Sequence, residues 1–203
     1  MNNIATNYQT LPEPPFAIGR SILFTVTTDL TYDQRMIRIC SSLVQAGYKV
    51  TLVGRKMKNS IPLNEKSFKQ KRINCLFEKG KLFYTEYNIR LFFFLLFKKM
   101  DCIGAIDLDT ILPCYFISRI KKTKRVYDAH ELFCEMKEIV TRPVIYKVWK
   151  KIEQFTVPKF RAGYTVNQFI AAEFKKMYGV DYGVIRNIAL LRQLQVIKKA
   201  VCK

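Results

Sequence analysis

Three features of the sequence predict a Rossmann-like α/β domain, doubly wound around a parallel sheet. Apolar runs of strand length recur along the chain, segments with helical apolar spacing separate them, and polar residues gather just after the runs. Strands alternating with helices cannot pair as simple hairpins. They imply parallel strands covered on both faces.

The elements follow in chain order. "ILFTV" from Ile22 reads as the first strand, and "DQRMIRICSSLVQAG" as a helix, with Met36, Cys40, Leu43 and Val44 at 3.6-residue spacing and Gly47 as its stop. "VTLVG" from Val50 is a second strand. The basic stretch as far as Arg72 reads as a loop ahead of a third strand, "INCLF" from Ile73. A helix holding the Phe-rich run comes next, then the strand "CIGAI" from Cys102. The helix after it starts near Thr110, with Pro113 in a first turn where a missing N–H matters least. "RVYD" from Arg125 is a short strand. A basic amphipathic helix, "VIYKVWKKIEQFTVPKF", leads to "AGYTV" from Ala162. Asn167 then caps a helix that places Ile170, Phe174 and Met177 on one face, and "YGVI" from Tyr182 closes the series. The expected division is a tail over residues 1–19, one domain over 20–190, and a linker or tail over 191–203.

The balance of 49% hydrophobic and 25% charged residues is that of a globular chain. A length of 203 residues suits one core better than two. The formal net charge of +19 is concentrated in "RKMK" from Arg55, "KSFKQKR" from Lys66, "RIKKTKR" from Arg119 and "KVWKK" from Lys147. Such clusters are either solvated faces or seats for an anionic surface or polymer. Six cysteines without a C-x-x-C pair, and one histidine, exclude a structural zinc site of the usual spacing and point to a reducing compartment. Residues 1–19 carry "PEPP" rather than an apolar signal core. The greasiest segment, "LFFFLLF", is far shorter than the roughly 20 residues a bilayer requires.

In a sheet of this kind ligands bind outside the carboxyl ends of the strands. The residues that fall there are Asp29, Asp33 and Arg35 after the first strand, Asp107 and Asp109 after "CIGAI", and Asp128, His130 and Glu131 after "RVY". Duller roles compete: Asn167 reads as a helix cap, Asp109 or Thr110 as another, and Asp33 with Arg35 as a helix's first turn. "DLD" at Asp107 also matches a short D-x-D metal–phosphate pattern that arises often by chance. His130 lacks the companions of a multi-histidine metal cage, which leaves hydrogen bonding or charge stabilisation. The first strand–helix turn lacks the G-x-G-x-x-G glycines, so a dinucleotide pyrophosphate site is not expected.

The segments "ILFTVTTDLTYDQRMIRICSSLVQAGYKVTLVGR", "GAIDLDTILPCYFIS", "VYDAHELF", "YTVNQFIAAEFKKMYG" and "YGVIRN" resemble, in order and spacing, the N-terminal domain of bacterial family 4 glycosyltransferases of the GT-B fold, over residues 19–190. The resemblance implies a retaining transferase that uses a nucleotide-sugar as donor substrate, with no bound metal and no other cofactor. It implies His130 as the catalytic candidate beside the transferring sugar, and Asp29, Asp33, Arg35, Asp107, Asp109 and Glu131 on the side of a saccharide or lipid-linked acceptor. Asn187 falls where the family passes into a second, donor-binding domain; here the sequence runs on only to "LRQLQVIKKAVCK", so the chain reads as half of a split enzyme with the donor half as a separate partner, as a truncated gene product, or as a remnant. A glycine-rich loop common after the first strand of this fold is absent. The expected setting is cytoplasmic, peripheral on the inner face of an anionic membrane. The basic helix around Trp149, with Lys147, Lys150 and Lys151, is the candidate contact. A basic nucleic-acid-binding protein and a non-catalytic remnant are the alternatives, the first without any helix-turn-helix, RNP or finger motif to support it.

Overall fold

The computed structural model describes residues 19–188, which form one Rossmann-like α/β domain. Its seven strands are β1 (Ser21–Thr25), β2 (Lys49–Lys56), β3 (Lys69–Asn74), β4 (Cys102–Ile106), β5 (Lys124–Ala129), β6 (Gly163–Thr165) and β7 (Gly183–Val184). Every pairing is parallel, in the order β3-β2-β1-β4-β5-β6-β7. The helices are α1 (Gln34–Gln45), α2 (Gly80–Leu96), α3 (Ile111–Lys121), α4 (Lys137–Val140), α5 (Pro143–Thr156) and α6 (Gln168–Tyr178). Residues 1–18 and 189–203, which hold most of the expected N-terminal tail and all of the expected linker, lie outside the described residues.

Alternation along the strands sorts the core into two layers. Leu23, Val53, Ile103 and Ala105 pack with Tyr87 and Leu91 of α2, Ile117 of α3 and Phe174 of α6. Their neighbours Phe24, Leu52 and Ile106 turn to the other face, with Met36 and Cys40 of α1. The direction of winding reverses between β1 and β4, and there a crevice opens.

Two local devices shape its walls. Thr25 Oγ donates to Thr110 Oγ at 3.0 Å and Thr110 Oγ bonds the Ile106 carbonyl at 3.1 Å, tying the exit of β1 to that of β4. The loop after β1 folds back over β2: Arg55 N–H donates to the Thr28 carbonyl at 2.9 Å, and Leu30, at φ 73°, is 1% exposed. That approach requires Gly54, because a Cβ there would stand 2.4 Å from the Thr28 oxygen.

The element boundaries depart from the sequence expectation in two places. The third strand begins at Lys69, inside the basic run assigned to a loop, and Leu76 and Phe77 fall outside it and are exposed. As an edge strand it has little core to cover, and lysines there discourage pairing with another chain. The α5 helix stops at Thr156, before Pro158, where a ring without an N–H cannot continue it, and a single 3₁₀ turn follows. Asn167 caps α6 as expected, its side chain accepting from Ile170 N–H at 2.9 Å.

Candidate functional site

The crevice at the β1–β4 switch is a cleft of about 760 Å³. Asp29, Asp33, Arg35, Asp107, Asp109 and His130 line it, six of the eight strand-end residues that the topology rule singles out, and Asn187 joins them. Asp128 and Glu131 are not among the lining: Asp128 is buried behind His130, and Glu131 is exposed outside the cleft. Its neighbour on β5's exit takes the inward position, and a side chain one residue later cannot share it.

His130 stands between two carboxylates. Nδ1 lies 3.2 Å from Asp107 Oδ2 and Nε2 lies 3.3 Å from Asp128 Oδ2. The Asp128 side is closed, at 1% exposure, whereas Asp107 is about a quarter exposed to the cleft. Burial alone would lower the imidazole pKa. Hydrogen bonding and charge from Asp107 and Asp128 outweigh it and raise the value to about 10. At neutral pH His130 is therefore an imidazolium, a donor and a positive charge rather than a proton acceptor.

The network continues inward. Asp128 Oδ1 accepts from Arg35 Nη2 at 2.7 Å, in a pair that is 8% and 1% exposed. Arg35 also reaches the Ile185 carbonyl at 3.4 Å, and Arg38 bonds the Asn187 side chain. These contacts hold the segment after β7 against α1 and set the cleft's far wall. Arg35, expected on the acceptor side, lines the cleft with its guanidinium committed to Asp128 and the Ile185 carbonyl.

Asp107 carries strain. Its φ of 55° and ψ of 174° belong to a region that is essentially glycine's, costing on the order of 1–3 kcal/mol. Two bonds enforce it: Asp107 N–H donates to the Asp128 carbonyl at 2.9 Å, and Asp107 Oδ1 accepts from His130 N–H at 2.9 Å. The consequence is a carboxylate locked beside the imidazole. Asp109 is 9% exposed and accepts from Thr27 Oγ at 2.5 Å. Burial, reinforced by the Asp107 charge, pushes its pKa up to about 7. Neither Asp109 nor Thr110 makes a capping bond to α3.

The remaining acidic candidates serve the loop. Asp33 is the N-cap of α1, accepting from Met36 N–H at 3.1 Å and from Thr28 Oγ at 3.0 Å. Asp29 accepts from Thr31 N–H and Ser60 Oγ, both at 2.9 Å. Burial would raise its pKa, but these donors and nearby Arg72 hold it below the usual carboxylate value. Asp29 and Asp33 therefore build the cleft's rim and offer a ligand only their spare lone pairs. Among the described residues no group of three or more histidine, cysteine or acidic side chains is arranged to hold a metal ion.

Sequence reasoning passed over Thr27 and Arg38 and assigned Asp128 no role. Asp128 was legible as a strand-end carboxylate. Its pairing with Arg35, 93 residues away, had no local signal.

Because the chain has one histidine, its proton NMR signals titrate without overlap from others. They are expected to move with a midpoint near 10 rather than 6.5. The stability that His130 contributes is then full below pH 6.5 and is lost as pH rises toward 10; Asp109, also raised, adds a loss between about pH 4 and 7. A midpoint near 6.5 would mean that the two carboxylates do not hold the ring in solution.

A scan against protein-family models matches none to this chain, and a search of curated proteins finds no match. Fold and cleft define a class: a Rossmann-like domain whose switch-point crevice presents one imidazolium among carboxylates.

Proposed function

We propose that these residues form the acceptor-side half of a retaining, nucleotide-sugar-dependent glycosyltransferase. The observation that carries this reading is the His130 imidazolium, held between Asp107 and Asp128 at the mouth of the switch-point cleft. It is joined by the resemblance of five ordered segments to family 4 enzymes. A cleft lined by carboxylates and a hydrogen-bonding cation suits a polyhydroxylated ligand, whose hydroxyls both donate and accept.

In this reading a saccharide or lipid-linked acceptor lies over Thr27, Asp107 and Asp109. A donor-binding domain, further along the same polypeptide or on a separate one, brings the nucleotide-sugar to the His130 side. The Nδ1 edge faces Asp107, about a quarter exposed, and in this reading a sugar oxygen shares that edge with the carboxylate. The imidazolium's positive charge then stabilises negative charge that develops as the glycosidic bond breaks. With a pKa near 10 it does so already protonated. Asp107, Asp128 and Arg35 orient the ring and do not touch the reacting atoms.

The setting is peripheral, on an anionic membrane surface in the cytoplasm. Among the described residues no helix is long and apolar enough to cross a membrane. The expected contact around Trp149 needs correction. Trp149 packs edge-on against Tyr84 at 5.5 Å and Phe133 at 5.0 Å between ring centroids, and Lys150 pairs with buried Glu153 at 2.9 Å. Tyr146, Trp149 and Ile152 of α5 pack against the core, while Val144, Val148 and Phe155 stay exposed beside Lys147 and Lys151; amphipathic spacing records one buried face without saying against what.

The test is transfer of a labelled nucleotide-sugar. Fused to the donor domain of a family 4 glycosyltransferase, the chain is expected to transfer sugar to acceptor; without one, turnover stays at the buffer level. Transfer by the unfused 203 residues would overturn this division of labour. Salt-sensitive binding to duplex DNA by a fusion that transfers nothing would favour the nucleic-acid reading suggested by the net charge.

A further inference from the structure

The α2 helix is apolar on two sides. Phe83, Tyr87, Leu91 and Leu95 form its buried stripe, and Tyr87 Oη donates to the Val26 carbonyl at 2.5 Å beneath the cleft. Its opposite side carries Ile89 and Phe93, each about half exposed, and ends in Phe97, which is 80% exposed. Residues 89, 93 and 97 follow at intervals of four and so share one face. The Glu86–Arg90 ion pair, at 2.7 Å, shares that side nearer the helix start, so the exposed apolar surface is concentrated toward the C-terminal end at Phe93 and Phe97.

The α3 helix packs beside α2 and adds exposed Phe116 and Ile120. Both helices run against the parallel strands, so their C-terminal ends meet at the edge where the strands begin, opposite the cleft. Lys98 and Lys99 follow α2 there, and Arg119 and Lys122 end α3; all four are exposed. Among the described residues none of the four is paired with a carboxylate. The acid nearest in sequence, Asp101, is taken by the N–H and hydroxyl of Ser21 at 2.7 and 2.8 Å. The patch is therefore aromatic and aliphatic around Phe93, Phe97, Phe116 and Ile120, with positive charge, unpaired among the described residues, at the strand-start end and the Glu86–Arg90 ion pair at the other.

We propose that this face of α2 and α3 docks on an anionic lipid membrane, Phe93 and Phe97 entering the interface while the lysines meet the headgroups. Charge complementarity selects this occupant. Protein interfaces are depleted in lysine, whereas an apolar helix face bordered by lysine and arginine is the combination that seats in an anionic lipid interface. The proposal rests on the membrane-surface part of the reading above, not on its transferase part. It turns the domain so that the cleft opens away from the docked edge.

Co-sedimentation of the full chain with vesicles tests it. Vesicles containing phosphatidylglycerol are expected to bind the chain ~10-fold or more tightly than pure phosphatidylcholine, and Phe93→Ser with Phe97→Ser to lose at least ~10-fold of that binding. Phe116→Ser with Ile120→Ser should weaken it in the same direction, a second reading if the first pair disturbs folding. Lys147→Glu with Lys151→Glu on α5 should change binding by less than ~3-fold. Equal losses from the α2 and α5 variants would reduce the effect to net charge and overturn the proposal, as would absent binding to anionic vesicles or duplex DNA binding that falls with the same phenylalanines. Turnover of the fused enzyme on a water-soluble acceptor should be unaffected by Phe93→Ser with Phe97→Ser. Loss of vesicle binding and loss of transfer are thereby read separately.

Discussion

Arg35→Ala is expected to lower the unfolding free energy by about 3–5 kcal/mol, the range for removing one partner of a buried ion pair. Asp128 would be left at 1% exposure without the guanidinium that meets it at 2.7 Å. Partial compensation by His130, 3.3 Å from the other carboxylate oxygen, places the loss toward the lower end. For a domain of this size that corresponds to a fall in melting temperature of roughly 10 °C. Urea unfolding of the variant at pH 7 measures it. Replacing both partners, Arg35→Met with Asp128→Leu, should recover much of the loss, since the uncompensated charge disappears along with its mate. A loss of less than about 1 kcal/mol, the range of a surface pair, would show that the network is solvated and does not organise the cleft.

How much of this was open to reading from sequence depends on whether the cause is local. The strands show because a parallel strand buried on both faces is a continuous apolar run, as "CIGAI" is. The ends of α1 and α6 show because Asp33, Asn167 and the turns after them act within a few residues. The crevice followed from topology alone, and six of the eight strand-end residues line it. Their individual roles did not follow. Asp33 and Asp109 are both aspartates just after strands, yet one caps a helix and the other is buried against Thr27. What separates them is tertiary contact. Arg35 looked like a first-turn residue until the fold carried Asp128 to it. Trp149 looked like a membrane anchor because a stripe on one helix carries no label for its partner. The exposed side of α2 was hidden for the converse reason: a Phe-rich run reads as core, and only the fold shows that one of its faces is left over.

The central claim is that His130 acts on charge at the transferring sugar. In a fusion with a donor domain, His130→Ala is expected to lower kcat by about 10²-fold or more, the range for losing one donor to a transition-state oxyanion, with little change in acceptor KM. Stability should fall as well at pH 7, because the variant leaves Asp107 and Asp128 without their shared cation while Arg35 still holds Asp128, so turnover is read per folded molecule. A histidine that served only the fold would show the reverse, with a lower melting temperature and normal turnover per folded molecule. The decisive measurement is kcat and melting temperature on one preparation of the fused His130→Ala enzyme. A folded variant with turnover reduced about a hundredfold agrees with the claim. A folded variant with unchanged kcat contradicts it and removes His130 from the reacting centre.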